Sequence, residues 1–203
     1  HCTIISASDR RLIFHFDNEA IKIVPNGIDL TYFTRSEVKK DFDLLFTGNM
    51  SYPPNVQSAI YLVEKIMPLV WQAKPNTNLL ISGANPVAKI KSLASEKVMV
   101  RGWVDDIRQS YNSSQIFIAP MIIGSGLQNK LLEAMAMKMP CITSELANKS
   151  LGAENGDSIL VGQKKEEYAS HILNLLNEPL KASELGEKGH SFVARTFNWS
   201  KSN

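Results

Sequence analysis

The feature that most constrains this chain is a rhythm. Short apolar runs at 43–47, 78–82, 98–101, 115–120, 141–144 and 158–161 alternate with stretches of helical periodicity. Each run has the length and apolar density of a strand covered on both faces. Between them, Ala59, Leu62, Val63 and Ile66 share one helical face, and Asn55 stands where a cap belongs. Further helices are predicted over 87–94, after the start signal Pro86, and over 127–137, 166–176 and 180–195. A short one capped by Asp105 runs through Tyr111. Strand–helix–strand alternation predicts an α/β fold, a doubly wound Rossmann-like parallel sheet with helices on both faces. In such sheets ligands lie beyond the carboxyl ends of the strands, which directs attention to the segments that follow each run.

The first 33 residues break the pattern. Strands are expected over 2–7 and 21–24, a helix over 8–16, and a tight turn at Pro25-Asn26-Gly27. Residues 28–40 are polar and irregular, like a linker. We therefore expect residues 1–33 to be the tail of a preceding domain with a crossover, and 34–203 to be one domain. The chain opens at His1 rather than at an initiator Met, which suggests an earlier true N-terminus.

Composition narrows the class. With 44% hydrophobic and 21% charged residues in 203, the chain can build an ordinary soluble core. A net charge of +2, with the basic residues dispersed, argues against a nucleic-acid partner. Cys2 and Cys141 are far apart and are expected to be buried free thiols of a reducing compartment. No apolar run approaches the roughly 20 residues that span a bilayer.

Three consecutive strands end beside glycine, at Gly48 (followed by Asn49), Gly83 and Gly102. Each could be an ordinary turn; together they suggest an edge where a flat or anionic ligand lies against backbone. The fourth long run leads into Gly124-Ser125-Gly126-Leu127-Gln128-Asn129-Lys130 at a helix start. Amides and the helix dipole favour an anion there, and Lys130 adds a charge, which suits a diphosphate, including one that leaves. Glu133 falls on the same helix face as Lys130. Its carboxylate either accepts from a ribose diol or forms a surface ion pair with Lys130. Trp103, just past a strand end, could border a nucleobase, whereas Trp71 reads as packing.

Other chemistries find no support. No Gly-Lys-Ser/Thr phosphate loop is present, and Asn129 stands where a dinucleotide fingerprint needs a small residue. His1, His15, His171 and His190 lack metal-ligand spacing, and no nucleophile–histidine arrangement emerges. Asp105 and Asp106 read as cap and neighbour rather than as a catalytic pair.

Several segments together resemble the C-terminal domain of family 4 (group 1) glycosyltransferases of the GT-B fold. They are Val24-Pro25-Asn26-Gly27-Ile28-Asp29 with Phe33, the stretch from Phe46 to Asn55, Val100-Arg101-Gly102-Trp103-Val104-Asp105, and Gly126 to Ala136 with Pro140. The last is the most specific. The resemblance implies a retaining enzyme that binds a nucleoside diphosphate sugar, UDP- or GDP-linked, in a cleft between two domains without an obligate metal or cofactor. It assigns Glu133 to the donor ribose. It also implies a partner N-terminal domain for a saccharide or lipid-linked acceptor. A role in bacterial polysaccharide assembly follows, in the cytoplasm or peripherally at the inner membrane face. Two departures stand out. Ser125 occupies the place of a family Glu, eight positions before Glu133, and Asn49 that of an Arg facing the diphosphate. The family's Lys near 53–55 is also missing, and Lys130 is our candidate to supply the charge. No general base is assigned, and these residues alone are expected to be inactive. A nucleotide-sugar epimerase of similar architecture and a non-catalytic binding domain remain as alternatives.

Overall fold

The computed structural model describes residues 2–4, 10, 13, 18–24, 26–36, 38–124 and 126–198. A small parallel pair joins β1 (Thr3–Ile4) to β2 (Lys22–Ile23), with a 3-10 turn at Asn18–Ala20 between them. The helix expected over 8–16 lies almost wholly outside the described residues, as does Pro25 of the expected turn.

The main body is a six-stranded, wholly parallel sheet. Its strands are β3 (Phe42–Thr47), β4 (Leu79–Ser82), β5 (Val98–Arg101), β6 (Ser114–Ala119), β7 (Cys141–Ser144) and β8 (Leu160–Gly162). They lie in the order β5-β4-β3-β6-β7-β8, the doubly wound arrangement. The central strands are buried on both faces, and Leu44, Leu45, Phe46, Leu79, Leu80 and Phe117 are wholly inaccessible. That is why these runs show no alternation of apolar and polar residues.

Helix α1 (Pro53–Tyr61) continues through a π-helical turn (Leu62–Ile66) into α2 (Met67–Ala73). Met67 N–H reaches back to the Leu62 carbonyl, five residues earlier. The wider turn falls just before Pro68, whose ring has no N–H and would crowd the preceding turn of a regular helix. Asn55 does not cap α1. The cap position is Tyr52, and Asn55 lies within the first turn, buried, with its side chain turned to other work.

The remaining helices are α3 (Ala88–Lys91), shorter than expected, α4 (Arg108–Asn112), α5 (Asn129–Ala136), α6 (Glu145–Leu151), α7 (Lys165–Asn177) and α8 (Pro179–Thr196). Helix α6 was not anticipated. Ser144 accepts from Ala147 N–H at its start, and left-handed Gly152 ends it. Asp105 does not cap α4 either. The cap position is Ile107, and Asp106, one residue earlier, accepts from the Arg108 amide at 2.9 Å and from its guanidinium. Asp106 rather than Asp105 meets the helix start because its carboxylate holds the Arg108 side chain as well.

Among the described residues, the polar stretch after residue 27 forms no helix or strand, yet it is strapped to the body. Ile28 is buried, and its amide donates to the Phe197 carbonyl at 2.7 Å. Arg108 donates to the Tyr32 carbonyl at 3.0 Å, and Arg35 to that of Lys138 at 2.9 Å. Cys141 is buried as expected, but Cys2 beside the short β1–β2 pair is exposed. Trp71 packs at the core's edge and donates to the Thr77 carbonyl at 2.8 Å. His171 and His190 each bond a backbone carbonyl; His1 and His15 lie outside the described residues. Among the described residues no helix is long and apolar enough to cross a membrane.

Candidate active site at the strand carboxyl ends

A cavity of about 450 Å³ opens beyond the ends of β3, β4 and β5, against the first turns of α5. It straddles the point where the sheet reverses its winding, between β3 and β6. Its size is in the range of small-molecule sites. Gly48, Asn49, Gly83, Trp103, Asn129, Lys130 and Glu133 all line it, seven residues of the candidate set. Gly102, Gly124, Gly126, Leu127 and Gln128 are not among its walls, and Ser125 lies outside the described residues.

The glycines divide by what they touch. A Cβ on Gly83 would lie 1.8 Å from the Gly48 carbonyl oxygen, so β3 and β4 meet backbone to backbone there. A Cβ on Gly48 would strike the Asn55 amide at 2.6 Å. Both glycines are therefore demanded by chain packing beneath the cavity. Gly102 has only Pro86 near, at 3.9 Å, and its site would accommodate a side chain. Gly124 and Gly126 both have positive φ, 101° and 85°, and shape the approach to α5. Leu127 is buried in the core, and Gln128 takes the cap position with no capping bond from its side chain.

Lys130 and Glu133 share a face of α5, but they form no direct ion pair. Instead each has its own partner from another element. The Lys130 ammonium donates to Asn55 Oδ1, lies 5.0 Å from the centre of the Phe46 ring, and approaches Met121 Sδ at 3.8 Å. Asn55 in turn donates to the Asn49 carbonyl at 3.0 Å, so it joins the β3 loop to the lysine. Burial pushes the Lys130 pKa down to about 8, with the Glu133 charge opposing the shift. On the other side, Glu133 Oε2 accepts from the Tyr111 hydroxyl at 2.7 Å. Burial raises the Glu133 pKa, opposed by that bond and by Lys130.

Thr47, Asn55 and Tyr111 were not on the candidate set. Thr47 was legible, since it precedes Gly48 at a strand end. Asn55 and Tyr111 carried no such signal, because their roles depend on contacts to Lys130 and Glu133 some 75 and 22 residues away in sequence. Trp103 is 75% exposed at the mouth, facing the same space as Tyr32 from the crossover. Lys130 is the only cation among the described lining residues. No cluster of three or more His, Cys, Asp or Glu that could hold a metal occurs among the described residues.

Comparison with known sequences now decides the family. The profile of glycosyl transferases group 1 matches residues 41–178, which include the whole of this cavity apart from Tyr32. The chain belongs to that family. A curated relative of this group 1 chain, an uncharacterized 44.6 kDa protein in the cps region of Klebsiella pneumoniae, is 24% identical over 168 residues. That match covers 78% of the chain but 43% of the relative, so the chain spans less than half of the relative's length. Solved structures share the fold. HepE from Anabaena, in complex with UDP and glucose, superposes with a TM-score of 0.83 at 14% identity, over 99% of this chain and 60% of that one. For sucrose-phosphate synthase from Thermosynechococcus elongatus the values are 0.77, 18%, 98% and 55%. The C-terminal domain of LpcC, a group 1 family protein from Francisella tularensis, gives 0.68 at 14% identity, over 85% of this chain and 100% of that one.

Proposed function

We propose that the cavity beyond β3, β4 and β5 binds a nucleoside diphosphate sugar, and that the whole protein transfers the sugar to an acceptor with retained configuration. The observation that carries this reading is the convergence of Lys130 and Glu133 on one cavity at the winding switch point. A diphosphate fits beside the Lys130 ammonium and the amides that open α5. A ribose diol fits the Glu133 carboxylate, and the base lies toward Trp103. The HepE structure holds UDP and glucose on the same fold, which supports UDP as the first nucleotide to try. In this reading the departing diphosphate is stabilised by Lys130, and its oxygens assist deprotonation of the acceptor. No metal or cofactor is required.

Residues 34–203 form the donor half, and 1–33 the end of an acceptor domain with its crossover. The acceptor is a saccharide or lipid-linked saccharide held by that other domain in the cytoplasm, with the protein soluble or peripheral at the membrane. The isolated span turns over no donor. Calorimetric titration with UDP, GDP, ADP and their sugar conjugates tests the donor reading. One nucleotide class is expected to bind selectively and to weaken in Lys130→Ala and Glu133→Ala. Absence of binding by the full-length protein as well would overturn it. With full-length protein and acceptor, NMR of the first-formed product reads retention; an inverted anomer contradicts it.

The depressed lysine gives the site a pH signature. Below about pH 8 the Lys130 ammonium is charged with or without ligand, so it takes up no proton on binding there. Above about pH 8 the free site is mostly neutral, and a bound diphosphate restores the charge by drawing in a proton. Donor affinity therefore falls as pH rises, by up to about tenfold per unit. Calorimetry near pH 8 in buffers of different ionisation enthalpy is expected to show roughly half a proton taken up per site. An equal uptake in Lys130→Met would show that another group supplies it.

A further inference from the structure

We propose that Tyr111 is the positioning residue that orients the Glu133 carboxylate for the donor ribose. The proposal rests on the donor reading above and names what makes that reading's ribose contact selective. Tyr111 touches no ligand in this account; it acts through Glu133.

The geometry is specific. Tyr111 is 1% exposed, and its hydroxyl lies 2.7 Å from Glu133 Oε2, 3.1 Å from Thr47 Oγ1 and 3.4 Å from the Lys130 carbonyl oxygen. A carboxylate only accepts, so the single phenolic proton goes to Glu133 and the Thr47 hydroxyl donates to the phenol oxygen. The chain Thr47 to Tyr111 to Glu133 thus has one consistent direction. Its middle member is rigidly mounted. Ser110 in α4 bonds Ser82 at the end of β4 at 2.7 Å, and the Tyr111 ring packs against Phe117 of β6, 5.8 Å between centres. Two strands and a helix therefore hold the phenol in place.

The consequence falls on Glu133. With Oε2 engaged, Oε1 has no hydrogen-bond partner among the described residues, although Glu133 is half-buried and lines the cavity. Oε1 is not itself buried, so it stays open to the cavity for a ligand or water to complete. A glutamate on a free helix surface samples many rotamers and must lose that freedom when a diol arrives. Tyr111 has already removed much of it. The same bond opposes the upward pull of burial on the Glu133 pKa and so favours the ionised acceptor. The titratable groups acting on Glu133 are Tyr111 from α4 and Lys130 from α5. Cys141 from β7 acts on Tyr111, and burial keeps its thiol neutral. Asp105 lines the same cavity from the loop after β5.

The test compares two ligands in the full-length protein: the nucleoside diphosphate that binds best among UDP, GDP and ADP, and its 2′,3′-dideoxy analogue. Wild type is expected to favour the ribose form by about tenfold. Tyr111→Phe keeps the ring and removes only the hydroxyl. It should weaken the ribose form about five- to tenfold, leave the dideoxy form within twofold, and move the acidic limb of the ribose-binding pH profile upward. Phe117→Leu loosens the same ring without removing the hydroxyl and should weaken the ribose form in the same direction but by less, again leaving the dideoxy form within twofold. Equal losses for both ligands in Tyr111→Phe, or an unmoved acidic limb, would overturn the positioning role. Unaltered discrimination in Glu133→Gln would overturn the ribose assignment itself, and the two failures are distinguishable.

Discussion

An alanine at position 83 is expected to destabilise the domain by about 3–5 kcal/mol, a large share of the stability of an ordinary domain. The added methyl would lie 1.8 Å from the Gly48 carbonyl oxygen and 2.8 Å from its carbon. These are backbone atoms at the end of the central strand, with no flexible side chain to yield. Neither strand end can retreat. Gly48 N–H donates to the Ser82 carbonyl at 3.2 Å, and Gly83 N–H to that of Arg101 at 3.1 Å. The φ of Gly83, 149°, adds a conformational penalty for any residue with a Cβ. Gly102→Ala is the internal control. Its methyl meets only Pro86, at 3.9 Å, and the change should stay within about 0.5 kcal/mol. Urea unfolding midpoints read the difference, and similar midpoints for the two variants would refute the backbone-contact argument.

Lys130→Met is expected to weaken nucleoside diphosphate binding about 10- to 100-fold while leaving the unliganded fold no less stable. The two effects have opposite origins. The ammonium is drawn into the protein over Phe46 and Met121 with Asn55 as its one strong acceptor, and no carboxylate pairs with it directly. The folded chain therefore releases its proton at about 8, whereas the unfolded chain keeps it to the ordinary 10.5. The unfolded state binds more protons between those values, so this group's contribution makes stability rise with pH across that window. Below it the cost of burying the charge is fully present. Methionine retains the packing and removes that cost. A bound diphosphate reverses the balance by giving the ammonium a desolvated anionic partner. Calorimetry with thermal unfolding checks both halves. An affinity within twofold of wild type would remove Lys130 from the diphosphate site. A clear loss of apo stability would mean that the Asn55 contact outweighs the desolvation.

Much of the architecture was legible along the chain. All six long-sheet strands were predicted, with ends displaced by up to about two residues, because a strand covered on both faces is written as a continuous apolar run. The failures share a different cause. Asn55 and Asp105 looked like caps on local grounds, yet Asn55 is claimed by Lys130 and Asn49, and Arg108 at the start of α4 turns to Asp106. Helix α6 begins directly at the end of β7, with no intervening loop to mark a change of period. Three glycines at strand ends looked equivalent, but only two are demanded by contact, Gly83 by the Gly48 backbone and Gly48 by the Asn55 side chain.

By itself the sequence determined the doubly wound fold, the sheet edge at which the cavity opens, and the pair Lys130 and Glu133 on one helix face. Those properties depend on periodicity and on neighbours three or four residues apart, which the chain displays directly. Only the tertiary structure decided what each of the pair does. Whether Lys130 and Glu133 join in a surface ion pair or turn to separate partners depends on Asn55, Phe46 and Tyr111, which the parallel crossovers bring in from three other elements. Their burial, and hence the lysine's fall toward neutrality and the glutamate's rise, exists only once those elements have closed around α5 and excluded water.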